Sequence, residues 1–127
     1  MTNVPVDLKY AKSHEWVRLE GNIATIGITD HAQHELTDVV FVELPAKGRE
    51  LKAGEACAVV ESVKTASDVY APVSGKVVEI NPAVVDDPAL VNSEPYGRGW
   101  FYKLEMSNPS ELGALLAASE YDKQINR

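Results

Sequence analysis

Short β-rich runs separated by turn residues dominate the first hundred positions of the chain. A hairpin is predicted where Glu20-Gly21-Asn22 separates two such runs, the first of which begins at Trp16. The continuous apolar stretch 39–44 ends at Pro45 and predicts a strand with both faces at least partly buried. Further strands are predicted at 56–61, 67–71, 76–80 and 100–106. Many short strands at close spacing indicate an antiparallel β-sandwich or barrel.

Helix signals are few and lie outside these strands. Thr29 followed by Asp30 predicts a short helix over 29–36. Asn108-Pro109-Ser110-Glu111 combines a cap, a proline and an acid in the first turn, and predicts a helix. Its apolar face would hold Leu112, Leu115 and Leu116. A second terminal helix would start at Ser119 and carry Tyr121 and Ile125 on one face, whereas the turn-rich segment 81–99 is expected to wrap the sandwich.

The length of 127 residues fits a single domain over 1–127, with a β core at about 16–106 and C-terminal helices at 108–125. The predicted fold class is mainly β: an antiparallel sandwich or barrel with a short early helix and C-terminal helices. So small a chain leaves little room for a complete multistep enzyme.

Charge and composition exclude several kinds of partner. With 12 Lys+Arg and 19 Asp+Glu, the net charge is −7, which opposes binding to nucleic acid or anionic lipid. We expect no targeting segment and no membrane span. The single cysteine, Cys57, is interpreted as a core residue. His31 and His34 have no third ligand at a convincing spacing, so no metal site is expected.

Lys64 is the chain's most informative residue from the chemical point of view. It lies at the centre of the connection 62–65 between two predicted strands, with small residues on either side, so an enzyme could close over it. A turn lysine ordinarily only keeps a hairpin soluble. A Schiff-base nucleophile is the enzymatic alternative, but it needs a desolvated amine, and an exposed hairpin tip is the wrong place for one.

The segment 61–68, with 71–77 after it, resembles the modification site of lipoyl-carrying domains, and specifically the H proteins of the glycine cleavage system. Four further segments agree with the same family, and the resemblance extends from about Lys9 to Tyr121. These segments are 13–17, 27–33, 40–45 and 95–100. The attachment site Val63-Lys64-Thr65 differs from the Met-Lys-Met that is usual in biotinyl carriers.

The resemblance implies a flattened antiparallel β-sandwich or hybrid barrel of the lipoyl/biotinyl carrier type. It also implies that Lys64 carries lipoic acid in amide linkage and that the protein is a carrier without catalytic residues. Its arm would reach somewhat over 10 Å, on the order of a dozen single bonds. It would take the aminomethyl group of glycine from a pyridoxal-phosphate-dependent glycine decarboxylase to an aminomethyltransferase that uses tetrahydrofolate. Reoxidation by the flavoprotein dihydrolipoyl dehydrogenase would follow. A lipoate-attaching enzyme is the fourth expected partner.

The resemblance also implies roles for four neighbouring residues. Ser13, Glu15 and Asp68 match the positions that line a cleft beside the arm, where a carboxylate could pair with the protonated amine. Glu61, three residues before Lys64, is a plausible recognition element for the attaching enzyme. The alternative for each acid is ordinary surface or strand-end solvation.

Two other carrier functions remain open at this stage. An H-like protein that relays lipoyl groups to other enzymes would have the same site, and a biotinyl carrier would use the same hairpin. We expect a monomer with transient partners, located in a bacterial cytoplasm, or in the mitochondrial matrix if the chain is a processed eukaryotic protein. Neither nucleic acid nor a membrane is an expected partner.

Overall fold

The computed structural model describes residues 3–125 and contains two antiparallel sheets. The six-stranded sheet has the order β1-β2-β3-β9-β8-β5, and the three-stranded sheet has the order β4-β6-β7. The strands are β1 (Lys9–Tyr10), β2 (Glu15–Glu20), β3 (Ile23–Ile28), β4 (Val39–Glu43), β5 (Glu50–Leu51), β6 (Ala56–Ser62), β7 (Ala66–Tyr70), β8 (Gly75–Ile80) and β9 (Tyr102–Met106). This architecture confirms the predicted fold class.

Four α-helices and one 3-10 helix complete the described chain. They are α1 (Asp30–Leu36), α2 (Ala83–Asp86), α3 (Leu90–Ser93), the 3-10 helix Pro109–Ala114, and α4 (Ala118–Ile125). α1 begins as predicted, because the side chain of Thr29 accepts a hydrogen bond from the Ala32 amide. Within residues 3–125, no helix has the length and apolar character needed to span a membrane.

Apolar side chains from both sheets form the main core. Val42, Val60 and Val69 come from the small sheet, and Ile26 and Leu104 come from the large one; each has at most 1% of its surface exposed. Cys57 is buried in the same cluster, as expected for a small core residue.

A second apolar cluster fixes the C-terminal helix to the large sheet. Tyr121 of α4 stacks on Tyr10 of β1 with ring centroids 4.7 Å apart, and Trp16 and Leu8 are buried beside them. Ile125 packs against the same cluster, so the predicted pair Tyr121 and Ile125 does face the protein. α4 therefore packs against β1 and against β2, the strand that begins at Glu15.

The prediction for β4 is wrong in one respect. Val39 and Val42 are buried, but Val40 and Phe41 are 54% and 45% exposed. The register with β6 shifts between Val39 and Phe41, and a bulge of this kind places two consecutive residues on one side of the sheet. β4 is also an edge strand of the small sheet.

Two helix predictions also need correction. The segment after Asn108 forms a 3-10 helix of six residues, and Asn108 makes no capping hydrogen bond through its side chain. Leu116 cannot continue it, because its backbone exchanges two hydrogen bonds with Tyr10, at 2.7 and 2.9 Å. The segment 81–99, predicted as a wrapping loop, contains α2 and α3, which bury Val84, Leu90 and Val91 in the core.

Candidate functional site

The hairpin between β6 and β7 holds Lys64 at a fixed, exposed position. The Ser62 amide donates to the Thr65 carbonyl at 2.7 Å, and Ser62 Oγ accepts from the amides of Lys64 and Thr65. The Val63 amide donates to the Asp38 carbonyl at 3.0 Å, which attaches the tip to the residue before β4. The backbone at Lys64 is thus held by its neighbours while the side chain faces solvent.

The Lys64 amine reaches the C-terminal end of α1. Its Nζ donates to the Glu35 carbonyl oxygen at 3.3 Å. The last carbonyls of a helix lack intrahelical partners and carry partial negative charge, so they favour a cation. This contact places the amine beside the cleft that α1 borders.

A cleft of about 190 Å³ lies between α1, the start of β2 and the strands that flank the hairpin. One wall comes from the turn before β2 and another from α1, and β6 and β7 supply the remainder. Its lining residues are Ser13, His14, Glu15, Ile28, Ala32, Glu35, Leu36, Val60, Ser67, Asp68 and Val69. Three of these residues are acids, none is a lysine or arginine, and His14 is the one basic type, so the cleft suits a small cation.

Glu15 is the buried acid of this cleft, with 1% of its surface exposed. Its Oε2 accepts from the Tyr70 amide of β7 at 3.1 Å, and its Oε1 accepts a hydrogen bond from Ser13 Oγ. Burial raises the pKa of Glu15 to about 7, against the opposing effect of these two hydrogen bonds. The carboxyl group therefore changes its charge near neutral pH.

The structure brings together three of the four residues expected beside Lys64. Ser13, Glu15 and Asp68 all line the cleft, although they come from the β1–β2 turn, β2 and β7. Glu61 lies apart from the lining, exposed near the end of β6 and paired with Phe41 and Ala66 on the neighbouring strands. Its position is on the outer face of the small sheet.

Sequence reasoning missed two residues of the site. The Glu35 carbonyl accepts from the Lys64 amine. His14 lines the cleft and contacts Tyr121 Oη through Nδ1 at 2.7 Å. The unusual left-handed φ of 76° at His14 has no signature in the sequence, because histidine does not mark such a position as glycine does.

The fold and the site define a carrier of a covalently attached group, of the lipoyl or biotinyl type. A lysine is presented at a β-hairpin tip on a small two-sheet fold, next to a cleft lined by three acids. In residues 3–125, no three His, Cys, Asp or Glu side chains are grouped as a metal site would require.

Comparison with known proteins identifies the particular family. The family model "Glycine cleavage H-protein" matches residues 8–127. The glycine cleavage system H protein of Symbiobacterium thermophilum is 62% identical over 122 residues, which cover 96% of this chain and 95% of that protein. The one from Carboxydothermus hydrogenoformans is 58% identical, with 98% and 96% covered.

A solved structure gives the same result. The crystal structure of a glycine cleavage system H protein from Mycobacterium marinum superposes with a TM-score of 0.88 at 45% identity, covering 95% of this chain and 98% of that one. The chain belongs to the glycine cleavage H-protein family, whose members are lipoyl-carrying shuttle proteins and not catalysts.

Proposed function

We propose that Lys64 bears the lipoyl group and that the adjoining cleft holds the aminomethyl group of glycine between partner enzymes. The observation that carries this proposal is the contact of the exposed Lys64 amine with the carbonyl of Glu35, a residue that lines the acidic cleft. The residues present fit the group, because the hairpin leaves the lysine open to acylation and the cleft is within reach of an arm of somewhat over 10 Å. When attached, the lipoyl group supplies a reducible disulfide that accepts the aminomethyl group.

Glu15 is the residue that we propose to bind the protonated amine. A carboxylate and an ammonium ion form a charge-assisted hydrogen bond, and the buried position of Glu15 keeps competing water away. Ser13 and the Tyr70 amide hold the carboxyl group from the side by hydrogen bonds. Asp68, exposed at the edge of the lining, adds negative charge at the entrance. Together these residues would shelter the amine while the protein travels between enzymes.

Partner docking is supported by the outer face of the small sheet. Four of the seven large hydrophobic side chains that are exposed in the described chain lie on this sheet or its hairpin: Val40, Phe41, Val63 and Tyr70. Glu43, Glu61 and Asp68 carry negative charge on the same strands, and Lys64 is the only basic residue there. Amide formation at Lys64 would remove that charge and leave an apolar surface with an acidic rim, which favours partners with basic rims.

The proposed partners are the decarboxylase, the aminomethyltransferase, dihydrolipoyl dehydrogenase and the lipoate-attaching enzyme. Glu61 would guide the attaching enzyme, because it lies on the docking face beside Phe41 and three residues before Lys64. The bacterial sources of the similar proteins support a bacterial cytoplasmic location, which cell fractionation would test. A lipoyl relay role would use the same face. The two roles differ in whether the loaded protein supports glycine oxidation, which the glycine cleavage role requires.

Intact-mass measurement on protein isolated from its source tests the attachment site. We expect one lipoyl group per chain, lost in Lys64→Arg and kept in Lys76→Arg, the matched change of another exposed lysine. An unmodified Lys64 throughout, or a biotinyl mass, would refute the proposal.

Release of the aminomethyl group from isolated, loaded protein tests the cleft. Glu15→Ala removes the buried carboxyl group and should speed this release about tenfold or more, since charged hydrogen bonds are worth about 1.5–3 kcal/mol. Glu43→Ala, which removes an exposed acid from β4, is the control. Equal release rates in Glu15→Ala and the unsubstituted protein would exclude the sheltering role.

A further inference from the structure

His14 occupies a backbone position that glycine adopts more readily. The His14 amide donates to the Ala11 carbonyl at 3.0 Å, the Ala11 amide donates to the Glu15 carbonyl at 2.9 Å, and His14 itself has a φ of 76°. This tight connection between β1 and β2 requires a left-handed residue, in which a Cβ is sterically unfavourable. Strain of this kind is a reason to look for a role of the side chain.

The His14 side chain is held by the C-terminal helix. Its Nδ1 lies 2.7 Å from the Oη of Tyr121, which is fully buried and is itself 2.7 Å from Thr29 Oγ1. Thr29 caps α1, and its amide donates to the His14 carbonyl at 3.0 Å. Because α1 and His14 border the same cleft, the Tyr121 hydroxyl joins two of its walls.

The hydrogen bonds along this chain fit a neutral imidazole. Thr29 Oγ1 already accepts from the Ala32 amide, and its single hydrogen is free to go to Tyr121 Oη. In that pattern the Tyr121 hydrogen goes to His14 Nδ1, and the proton of the neutral ring is on Nε2. The reverse pattern, in which Nδ1–H donates to Tyr121 Oη and Tyr121 donates to Thr29 Oγ1, would place a proton on Nδ1.

The groups around His14 have opposing effects on its pKa. Burial and the neighbouring His31, whose ring centroid is 4.8 Å away, lower the pKa of His14, whereas Glu35 of α1 acts to raise it. Glu15 follows on the same strand, and Tyr121 packs edge-on from α4. A hydrogen bond donated by Tyr121 to His14 Nδ1 would add to the effects that favour the neutral ring.

We propose that His14 is a positioning residue of the cleft, held neutral and in place by Tyr121 so that the cleft wall beside Glu15 carries no positive charge. The inference rests on the proposed function of the cleft and extends it to α4. A charged imidazole would repel the ammonium group that Glu15 binds, and a displaced one would leave this wall of the cleft open to water. The terminal helix, remote in sequence, thereby sets the preference of the cleft for a cation.

Nuclear magnetic resonance of the unmodified protein tests the state of His14 directly. We expect the Nε2–H tautomer in the unsubstituted chain, and a raised pKa of His14 in Tyr121→Phe, which keeps the ring but removes the hydroxyl donor. Tyr10→Phe is the matched control, because Tyr10 stacks on Tyr121 and donates only to the Pro5 carbonyl among the described contacts. An Nδ1–H tautomer, or the same His14 titration in Tyr121→Phe as without the substitution, would overturn the inference.

The lipoylated, loaded protein provides the second measurement. Tyr121→Phe should speed release of the aminomethyl group about fivefold, the equivalent of one net hydrogen bond, while Tyr10→Phe leaves it unchanged. His14→Gly suits the turn but removes a side chain that lines the cleft, which opens this wall to water, so it should also speed release. This variant covers the case in which Tyr121→Phe folds poorly.

Comparison with Glu15→Ala separates the two proposals. If Glu15→Ala speeds release and the two other substitutions do not, the role of His14 is excluded and the cleft retains its function. If Glu15→Ala itself has no effect, the cleft does not shelter the amine, and both proposals fail.

Discussion

The buried carboxyl group of Glu15 should make the stability of this protein depend on pH in a direction opposite to that of most acids. Burial raises its pKa from an ordinary value of 4.5 to about 7. The folded state therefore holds a proton that the unfolded state has already released over this range. The stability that protonated Glu15 contributes is complete below pH 4.5 and is lost as the pH rises to about 7.

The size of the effect follows from the size of the pKa shift. A rise from 4.5 to about 7 corresponds to a loss on the order of 3 kcal/mol in the free energy of unfolding, of which about 2–3 kcal/mol falls between pH 5 and pH 8. The conversion applies because Glu15 is only 1% exposed and is not screened by solvent. Against a typical stability of about 5–15 kcal/mol, such a change is easily measured.

Glu15→Gln is the informative substitution, since glutamine resembles the protonated acid and cannot ionise. It can still accept from the Tyr70 amide and make a hydrogen bond with Ser13. We expect urea unfolding at pH 5, 6, 7 and 8 to show that the free energy of unfolding of the variant rises relative to that of the unsubstituted protein. This difference should grow by about 2–3 kcal/mol from pH 5 to pH 8. The same comparison with Glu43→Gln, an exposed acid, should show no such gain.

Parallel stability curves for Glu15→Gln and the unsubstituted protein across this range would refute the reasoning. They would mean that Glu15 is solvated in solution or is compensated by a charge that the structure does not place near it. The other titrating groups are present in both proteins, so their contributions cancel in the difference.

Two further predictions concern the scaffold. Gly75→Ala should destabilise the protein by about 1–3 kcal/mol in urea unfolding, because the added Cβ would clash with the Glu105 carbonyl oxygen. Gly113→Ala is the control and should be nearly neutral, because a Cβ there meets nothing within 4 Å. Equal effects of the two substitutions would contradict this packing. Burial raises the pKa of the Cys57 thiol, so alkylation of unmodified protein at pH 8 should be slow until denaturant is added; rapid alkylation of the folded chain would show that the thiol is exposed.

Local patterns were sufficient for most of the β framework. Gly21 has the positive φ of 62° that the hairpin after Glu20 needs, and the predicted strands lie within two residues of the observed ones. The failures lie where distant contacts override local preference. Asn108 and Pro109 indicate a regular helix, but the backbone pairing of Leu116 with Tyr10 draws the chain into an extended conformation. The periodicity of 39–44 could not reveal that β4 is a bulged edge strand.

In the candidate site, too, local sequence predicts some residues, whereas others depend on distant contacts. Lys64 could be singled out from its turn and its flanking strands, whereas Ser13, Glu15 and Asp68 came only from the family resemblance. Glu15 and Tyr70 are 55 positions apart, and His14 and Tyr121 are 107 apart. No local pattern in one sequence specifies contacts over such distances, because they depend on how the two sheets and α4 come together.

The raised pKa of Glu15 also bears on how a shuttle can hold its cargo without retaining it. In the empty cleft, burial disfavours the charged form of the carboxyl group and raises its pKa to about 7. A bound ammonium group would draw Glu15 into the ionised form, so that binding of the cargo releases a proton and its departure takes one up. Part of the pairing energy is consumed in ionising a desolvated acid, which keeps the net affinity moderate. A more exposed carboxylate would avoid that cost but would leave the amine open to water, so under the proposed role of Glu15 its burial would serve both protection and release.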